Sequence, residues 1–481
     1  MKKNMPLQHC KAFLVVFFIF ASITSLSYLP ILSFTTIKLE TNQASHCKGK
    51  YIYVQTPPAQ FNDDLLQKCE TVHTSWTNNN LCGQLINMGI GPSIAESHVL
   101  AKESWYLTNP YSLSVIFHNR MKNYKCLTKN SLMASAVYVP YYAGLDASRN
   151  LWSKNVTLKD ESAVEFLRWL KGTKEWKKMN GMDHFIVAGR TGWDFRRNPT
   201  SGTAWGTILR RLPESNNMSM LAVESTLWRN DYAVPYPTCF HPSSDVHVFE
   251  WQERMRRSAR NILFSFVGAP RSSNPLTLRA KVIEECKTSK ALCKHLKCES
   301  SNKTWLTCDN PERVMEFQRK SVFCLQPRGD SFTRRSFFDS ILAGCIPVLF
   351  HSGSAYEQYS WFLPKDHRKY SVYIPIEAEE QWEKGVVRRT LKAIPAEAVE
   401  AMREEVIRLI PRVVYADPRR PLKTMEDAFD VSVKGILRRI QTVRRMIEAG
   451  KDPTIGFAER DENKFHLINY SNSFQVNVQP N

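Results

Sequence analysis

Short apolar runs alternate with longer, more polar stretches over most of the chain, and this alternation predicts the order of the secondary structure. The runs are rich in residue types that favour buried strands, and they lie at 51–54, 135–139, 185–188, 262–267, 322–325, 346–350 and 371–374. The intervals between them are long enough for helices. Because buried strands separated by helices assemble into parallel sheets, the sequence predicts an α/β fold.

Two amphipathic helices are predicted near the carboxyl end. Residues 395–411 and 428–449 repeat apolar side chains at the spacing of one helix face. The stretch 235–250 contains three prolines and lacks such periodicity, so we place a domain boundary there. The expected domains are 51–245 and 246–450, and a peripheral tail is expected over 451–481.

The amino end carries an apolar run over 12–34 without any charge, preceded by Lys2, Lys3 and Lys11. A run of this length can span a bilayer as a helix, and basic residues before it favour a cytosolic amino terminus. A cleaved signal peptide is the alternative, and either segment would deliver the rest of the chain to the secretory lumen. The expected order is a cytosolic tail over 1–11, a signal-anchor helix over 12–34 and a stem over 35–50.

Four N-x-S/T sequences agree with a lumenal location, because such sites are used where the glycosylation machinery reaches them. The predicted glycosylation sites are Asn155, Asn217, Asn302 and Asn469.

The cysteines point to the same compartment. Of the 12 cysteines, 11 follow the apolar run, and Cys286, Cys293, Cys298 and Cys308 lie within 23 residues. In an oxidising lumen this cluster predicts a disulfide-stapled loop. Zinc is the alternative, but the chain has no CxxC pair to hold it. The odd count predicts at least one cysteine that is free or linked to a partner.

The formal charge of +19 raises the question of nucleic acid. The basic residues are scattered, with local clusters at 254–260 and 438–445, and no zinc-finger, RNP-type or basic-zipper pattern accompanies them. We therefore expect no nucleic-acid partner, and we ascribe the charge to solvated helix faces and a site for an anionic substrate.

One strand–turn–helix–strand unit has the features of a phosphate site. The run 321–325 has strand character, 326–331 is a turn, 333–343 has helical spacing, and Gly344 stands where a helix end favours glycine. The unpaired N–H groups and positive dipole end at the start of such a helix suit a diphosphate. The unit therefore predicts a nucleotide site in this turn.

Side chains of the same turn support this hypothesis. Gly329 permits close backbone approach, Ser331 offers a hydroxyl, and Arg334 or Arg335 can neutralise phosphate oxygens. Asp339 lies one helical turn after Arg335, where it can accept from ribose hydroxyls. The alternative is that Ser331 only caps a helix, that Arg335 and Asp339 form an exposed ion pair, and that nothing binds.

Residues 323–348 resemble the signature of the exostosin-type glycosyltransferases, glycosyltransferase family 47, and in particular its plant xyloglucan galactosyltransferase clade. They read FCLQPRGDSFTRRSFFDSILAGCIPV. Further matching blocks follow in the expected order at 49–54, 117–121, 139–145, 183–190, 193–197, 264–271 and 352–364. Arg328 stands where this clade more often has proline.

The resemblance implies a GT-B fold, in which two Rossmann-like domains face each other across a cleft, with the acceptor mainly on the first and the nucleotide sugar mainly on the second. It also implies inverting transfer from a UDP-sugar without an obligatory metal or other cofactor, and the chain has no Asp-x-Asp motif. A helix dipole and arginines would then stabilise the leaving UDP. The expected donor-binding residues are Arg271, Gln326, Gly329, Asp330, Ser331, Arg334, Arg335 and Asp339.

Inverting transfer needs a general base to deprotonate the acceptor hydroxyl. The candidates are Asp146, Asp183, His184 and Asp194, and His184 and Asp194 rank first because they flank the predicted strand 185–188. An ion pair with a nearby arginine is the alternative for each carboxylate. Tyr141, Tyr142 and Trp193 are expected to stack on acceptor sugars, with burial in the core as the alternative.

Together with the apolar run at the amino end, the resemblance implies a single-pass type II Golgi enzyme that transfers β-linked galactose from UDP-galactose to xylose side chains of xyloglucan. A UDP-galacturonate or arabinose-type donor is the nearest alternative. A non-catalytic Golgi scaffold or lectin-like subunit is an alternative of another class, which the presence of Arg334, Arg335 and Asp339 disfavours. The Golgi membrane and other Golgi glycosyltransferases are the further partners considered.

Overall fold

The structure is a computed structural model that describes residues 46–72, 81–94, 97–101, 103–200, 205–269, 277–298, 300–301, 305–376 and 381–465. The chain divides into two compact units, 1–51 and 52–481. In the described part of the first unit, the Lys50 amide donates to the Cys47 carbonyl at 2.9 Å within a helical turn. The sheets belong to the second unit.

The first half of the second unit, from β1 to β5, contains a five-stranded parallel sheet with the order β1-β2-β3-β4-β5. Its three central strands are buried along their whole length, which explains why their sequences are mostly apolar instead of alternating. The strands are β1 Ile52–Val54, β2 Ala136–Tyr138, β3 His184–Val187, β4 Ser219–Ala222 and β5 Asp231–Ala233. The helices are α1 Asp63–Gln67, α2 Cys82–Leu85, α3 Leu113–Met121, α4 Ala143–Asn150, α5 Val156–Gly172 and α6 Lys174–Met179.

The second half, from β6 to β12, contains another five-stranded parallel sheet, with the order β12-β11-β10-β6-β7. The strands are β6 Ile262–Gly268, β7 Cys293–Lys297, β10 Ser321–Gln326, β11 Ile346–Leu349 and β12 Val372–Tyr373, and β8 Ser300–Ser301 pairs antiparallel with β9 Trp305–Leu306. The helices that precede, connect and follow these strands are α7 Asp245–Arg257, α8 Leu278–Thr288, α9 Pro311–Gln318, α10 Arg335–Leu342, α11 Val386–Lys392, α12 Ala396–Val413 and α13 Ala428–Glu448.

The predicted α/β fold with parallel sheets is confirmed. Each predicted run coincides with a strand, but β4, β5 and β7 were not predicted. Ser219 opens β4 and Asp231 opens β5, while β7 carries three polar residues, so none of them forms a continuous apolar run. These strands become recognisable only through pairing, of β4 with β3, of β5 with β4 and of β7 with β6.

The predicted phosphate unit is the central part of the second sheet. β10 and β11 pair in parallel, and α10 connects them. Gly344 ends this connection with φ +61°, as its position after the helix predicts. Cys324 of β10 forms a disulfide with Cys345, which precedes β11. The unit is thus fixed covalently as well as by strand pairing.

The disulfide-stapled loop is confirmed, because Cys286 pairs with Cys293 and Cys298 pairs with Cys308. These pairings occupy all four thiols and exclude the zinc alternative for this cluster. Among the cysteines of the described ranges, Cys239 is free and buried, in agreement with the odd count.

The chain returns to the first half after the second sheet. Phe429 of α13 packs on Phe117 of α3 with ring centroids 4.7 Å apart, and buried Arg120 pairs with Asp427 at 3.5 Å. Residues 451–465, here called the C-terminal strap, then pair with the segment before β5, where the Arg229 amide donates to the Glu459 carbonyl at 2.9 Å. The segment expected as a tail from residue 451 is thus hydrogen-bonded to the first half in its described part.

The predicted membrane anchor at 12–34 and the sequons Asn302 and Asn469 lie outside the described residues. Within the described residues, no helix has the length and apolar character to cross a membrane. Asn155 is exposed and caps α5 through its side-chain oxygen, and Asn217 is half-buried. Both remain predicted glycosylation sites.

A proline inside α12 leaves a backbone carbonyl free to accept a hydrogen bond that links this helix to α7. The sequence predicts that this helix ends at Pro411, but it continues to Val413. Pro411 has no N–H for the carbonyl of Ile407 one turn earlier. The buried side chain of Gln252 in α7 donates to that carbonyl at 2.8 Å instead. The side chain of one helix thus satisfies the backbone group that the other helix leaves unpaired.

We expect Gln252→Ala to lower the free energy of unfolding by about 1–3 kcal/mol, because it leaves the buried Ile407 carbonyl without a donor. In a Pro411→Ala background the restored N–H can serve that carbonyl, so the same substitution should destabilise less. Urea unfolding of the four proteins of this double-mutant cycle measures the difference. Equal losses in both backgrounds would contradict the assigned role.

Candidate active site

A cleft of about 1130 Å³ lies between the two sheets of the second unit. Segments that follow the carboxyl ends of β3, β4 and β5 form one wall, and the loop after β10 and the start of α8 form the other. An inner pocket of about 460 Å³ adjoins the cleft and shares Tyr111, Arg279, Arg334 and Arg335 with it. Ligands of parallel α/β sheets bind outside the carboxyl ends of the strands, so the cleft is the candidate site.

The predicted donor segment forms the loop over 327–334, which we call the donor loop. The structure brings Gly329, Asp330, Ser331 and Arg334 together along the cleft. Gln326 ends β10, lines the inner pocket and accepts a hydrogen bond from the Ser336 hydroxyl at 2.6 Å. These predicted donor-binding residues therefore share one continuous space.

Arginine side chains converge on the donor loop at Gly329. A β-carbon at this position would overlap the guanidinium of Arg334 and would lie 2.7 Å from Nη2 of Arg279. Arg279 comes from the start of α8 and lines both the cleft and the inner pocket. No pattern in the sequence singles out Arg279, because its position beside the donor loop depends on the pairing of β6 with β10. Glycine at 329 makes room for two forked cations that can bind phosphate oxygens.

Arg335 and Asp339 lie on the first turns of α10 and line the inner pocket. Nε of Arg335 is 3.4 Å from a carboxylate oxygen of Asp339, and Nη1 donates to the Thr108 carbonyl at 3.2 Å. Burial opposes the charge of Arg335, but the neighbouring Cys239 and Asp339 outweigh it and raise the pKa of Arg335. Burial raises the pKa of Asp339, and Arg335 partly offsets that rise. The predicted helix-face pair exists, with Asp339 buried and Arg335 half-buried, so it is not the exposed pair of the alternative.

Glu224 is a cleft residue that the sequence did not reveal. It follows β4, is wholly buried as a residue and lines the cleft opposite the donor loop. Its Oε1 accepts from Nε1 of Trp193 at 2.9 Å, and its Oε2 accepts from the Thr333 amide at 2.9 Å and from the Thr333 hydroxyl. Because β4 was not predicted, its carboxyl end and Glu224 were not placed at the cleft.

The start of α10 also follows from this contact. The helix was predicted from Thr333 but begins at Arg335, because the amide of Thr333 is directed to Glu224 and Arg334 is extended. No side chain caps the helix at Arg334. The first N–H groups of α10 are thus left without a side-chain cap beside the arginines.

Asp194, one of the two preferred base candidates, lines the cleft. It lies in the 3₁₀ turn Gly192–Phe195, after the carboxyl end of β3. Nε of Arg190 donates to its Oδ2 at 2.8 Å, and Nε1 of Trp205 donates to its Oδ1 at 2.7 Å. Asp194 is therefore in the cleft and is also a member of an ion pair.

His184, the other preferred candidate, is not brought to the cleft. It is the first residue of β3, and β3 reaches the cleft only beyond its last residue, Val187, about 10 Å farther along the strand. Its Nδ1 lies 2.8 Å from Asp183, which also contacts Arg444 of α13 at 3.4 Å. Both side chains are buried at the opposite edge of the sheet, so we withdraw them as base candidates.

Of the aromatic residues predicted to bind the acceptor, the structure places only Trp193 in the cleft. Tyr141 is buried, stacks on Phe166 and donates to Asp146. Asp146 is not among the described residues that line the cleft, so we withdraw it from the candidate bases as well. Tyr142 is buried and shares a hydrogen bond of 2.7 Å with His118. Both tyrosines belong to the core.

The C-terminal strap supports the cleft from behind. Nζ of Lys464 donates to the carbonyls of Thr226, Trp228 and Asp231, in the segment that follows Glu224, at 2.6–2.9 Å. Phe465 packs against Phe332 of the donor loop with ring centroids 5.7 Å apart. One segment therefore contacts both walls. The predicted donor residue Arg271 lies outside the described residues.

Comparison with known proteins identifies the family. Residues 46–389 match the Exostosin GT47 domain. The chain is 47% identical over 434 residues to xyloglucan galactosyltransferase MUR3 of Arabidopsis thaliana, covering 90% of this chain and 69% of that protein. It is 51% identical over 398 residues to probable xyloglucan galactosyltransferase GT14 of the same plant, covering 82% and 75%.

More distant similarities were also found. The chain is 39% identical to xyloglucan-specific galacturonosyltransferase 1 of Arabidopsis thaliana, over 82% of this chain and 58% of that protein. A solved pneumococcal O-GlcNAc transferase, GtfA, in complex with UDP and GlcNAc aligns over 60% of each chain at 10% identity and a TM-score of 0.27, which is too low to support any statement about this chain. The match to the Exostosin GT47 domain covers well over half of the 481 residues. The chain therefore belongs to the exostosin GT47 family and is a glycosyltransferase.

Proposed function

We propose that the cleft transfers galactose from UDP-galactose, with inversion, to xylose side chains of xyloglucan. The observation that carries this proposal is the position of the Glu224 carboxylate opposite the arginines that converge on Gly329. Similarity to proteins named xyloglucan galactosyltransferases supports the choice of donor sugar and acceptor.

The donor is proposed to bind along the donor loop. Arg279 and Arg334 would hold the diphosphate oxygens, together with the uncapped N–H groups of α10. Asp339 and Gln326 line the inner pocket, where they can contact the ribose and the base. Cations and helix N–H groups can stabilise the leaving UDP without an obligatory metal.

We propose Glu224 as the general base. As the xylose hydroxyl attacks the anomeric carbon, its proton passes to Glu224, the new glycosidic bond forms, and the bond to the UDP oxygen breaks. Asp194 is less suited, because taking up a proton would leave the buried Arg190 without its counterion. Glu224 forms no ion pair with any residue of the described ranges.

The GT-B organisation and the location of the enzyme are part of the same proposal. Two parallel sheets with their carboxyl edges at one cleft suit a GT-B enzyme with domains over 51–245 and 246–450 and an acceptor site on the first. An anchor over 12–34 would hold the enzyme in the Golgi membrane with its catalytic part in the lumen, which suits the disulfides.

We expect the purified full-length protein to transfer galactose to xylosylated oligosaccharides from UDP-galactose, with similar initial rates in the presence and absence of EDTA. Parallel reactions with UDP-galacturonate and UDP-arabinose identify the donor. A higher transfer rate from UDP-galacturonate or UDP-arabinose than from UDP-galactose would identify that sugar, and not galactose, as the one transferred. No transfer from any donor by the folded protein would favour a non-catalytic scaffold.

Arg279→Ala and Arg334→Ala should each raise the KM for UDP-galactose by about ten-fold or more, because each removes a forked donor to the diphosphate. Steady-state kinetics and calorimetric titration with UDP measure the effect. The control is Lys287→Ala, which removes an exposed cation from the same helix as Arg279. Unchanged UDP affinity in the two arginine variants would remove them from the donor site.

Glu224→Gln should lower kcat by about 100-fold or more, because it keeps the shape of the side chain but cannot take up the proton. UDP binding should be largely retained, which separates loss of the base from collapse of the donor loop. Glu214→Gln is the matched control, since Glu214 lies in a surface ion pair of the same half. A Glu224→Gln enzyme that retains most of its kcat would exclude this residue as the base.

A further inference from the structure

Two tryptophans that line the cleft are exposed to solvent, unlike the tryptophans buried in the core. Trp152 and Trp205 are 60% and 40% exposed, more than any other tryptophan whose burial the structure describes. They meet edge to face with ring centroids 5.0 Å apart, and both line the cleft. Large apolar side chains paired in this way at a cleft are typical of a binding surface.

Hydrogen bonds within the protein fix the segments that carry Trp205 and Trp152. Nε1 of Trp205 donates to Asp194 at 2.7 Å, and the Thr207 amide donates to the Asp194 carbonyl at 2.8 Å, which fixes the segment that carries Trp205. Trp152 follows Leu151, the C-cap residue of α4, and Ser148 of this helix accepts a hydrogen bond from Arg190 at 3.1 Å. The polar edge of the Trp205 indole is therefore satisfied within the protein, while much of its face remains exposed.

The tryptophan pair and the arginines that meet at Gly329 belong to different walls of the cleft. Arg279 and Arg334 meet at Gly329, whereas Trp152 and Trp205 belong to the first half, together with Trp193 and Glu224. Trp193 donates to Glu224, and Trp205 donates to Asp194, the residue next to Trp193 in the chain. Trp152 packs on Trp205. The order of the tryptophans outward from the proposed base is therefore Trp193, Trp205 and Trp152. A chain of neutral rings that enters the cleft on this side would reach Glu224 after passing the indoles.

We propose that Trp152 and Trp205 form an acceptor subsite for pyranose rings of the polysaccharide backbone, outside the sugar that receives the galactose. One face of a pyranose ring presents mainly C–H groups, and stacking it on an indole removes apolar surface from water on both sides. The subsite binds a neutral glucan chain and gives longer acceptors higher affinity than short ones. Its assignment to xyloglucan rests on the proposed function.

The test compares full-length wild type, Trp152→Ala, Trp205→Phe and the control Phe249→Ala. Phe249 is 53% exposed on a surface that does not line the cleft. Initial rates are measured with xyloglucan oligosaccharides of increasing length at saturating UDP-galactose, and again with varied UDP-galactose. Calorimetric binding of the same oligosaccharides is measured without donor.

For Trp152→Ala we expect the KM and Kd for long oligosaccharides to rise about ten-fold, with less than about a two-fold change for UDP-galactose. Trp205→Phe keeps an aromatic ring and should change the acceptor KM less than Trp152→Ala does. The control should match wild type.

Wild-type acceptor KM and Kd in Trp152→Ala would overturn the proposal, and so would equal losses for donor and acceptor with a lower unfolding midpoint. If a partner protein and not the glucan occupies the pair, oligosaccharide binding will be unchanged in the variant, which also overturns it. If wild type binds oligosaccharides through Trp152 but transfers no sugar, the subsite stands and the proposed function fails.

Discussion

The two walls of the cleft meet where Glu224 contacts Thr333. One carboxylate oxygen of Glu224 accepts hydrogen bonds from both the amide and the hydroxyl of Thr333, and both residues are buried. Separating the walls would leave a buried carboxylate without these donors, which is unfavourable by several kcal/mol. The contact therefore sets the distance between the carboxylate and the donor loop. An in-line displacement depends on that distance, since acceptor oxygen, anomeric carbon and leaving oxygen must align.

Arg334 at the end of the donor loop and Arg335 at the start of α10 have different surroundings, which suit them to different roles. Arg335 is neutralised by Asp339 and bridges to the Thr108 carbonyl of the first half, so much of its hydrogen-bonding capacity is used within the protein. Arg334 donates to the Thr333 carbonyl and lies beside Arg279 at Gly329. Like charges brought together in this way favour an anion between them. The proposed diphosphate is therefore better matched to Arg279 and Arg334 than to Arg334 and Arg335, the two arginines selected from the sequence.

The sequence predicted the features that depend on local pattern. The apolar runs identified most strands, Gly344 marked the end of α10, and the crowded cysteines indicated the stapled loop, because each signal lies within a few residues. Glu224 and Arg279 could not be predicted in this way, since each reaches the cleft only through strand pairing. His184 failed for a different reason: it precedes the predicted strand, whereas ligands of parallel sheets bind beyond the carboxyl ends, so the direction of the chain already argued against it.

The path of the chain also explains why the cleft can have two chemically distinct walls. After completing the second sheet, the polypeptide crosses back, and α13 packs on α3 while the C-terminal strap bonds to the segment after Glu224. Phe465 of the same strap contacts Phe332 of the donor loop. Packing behind the cleft therefore supports the Glu224–Thr333 contact, so the arginines and tryptophans that line the cleft need not pair with each other across it. Arg279 and Arg334 on one wall thus suit the charged donor proposed above, and the tryptophans on the other wall suit the proposed neutral acceptor.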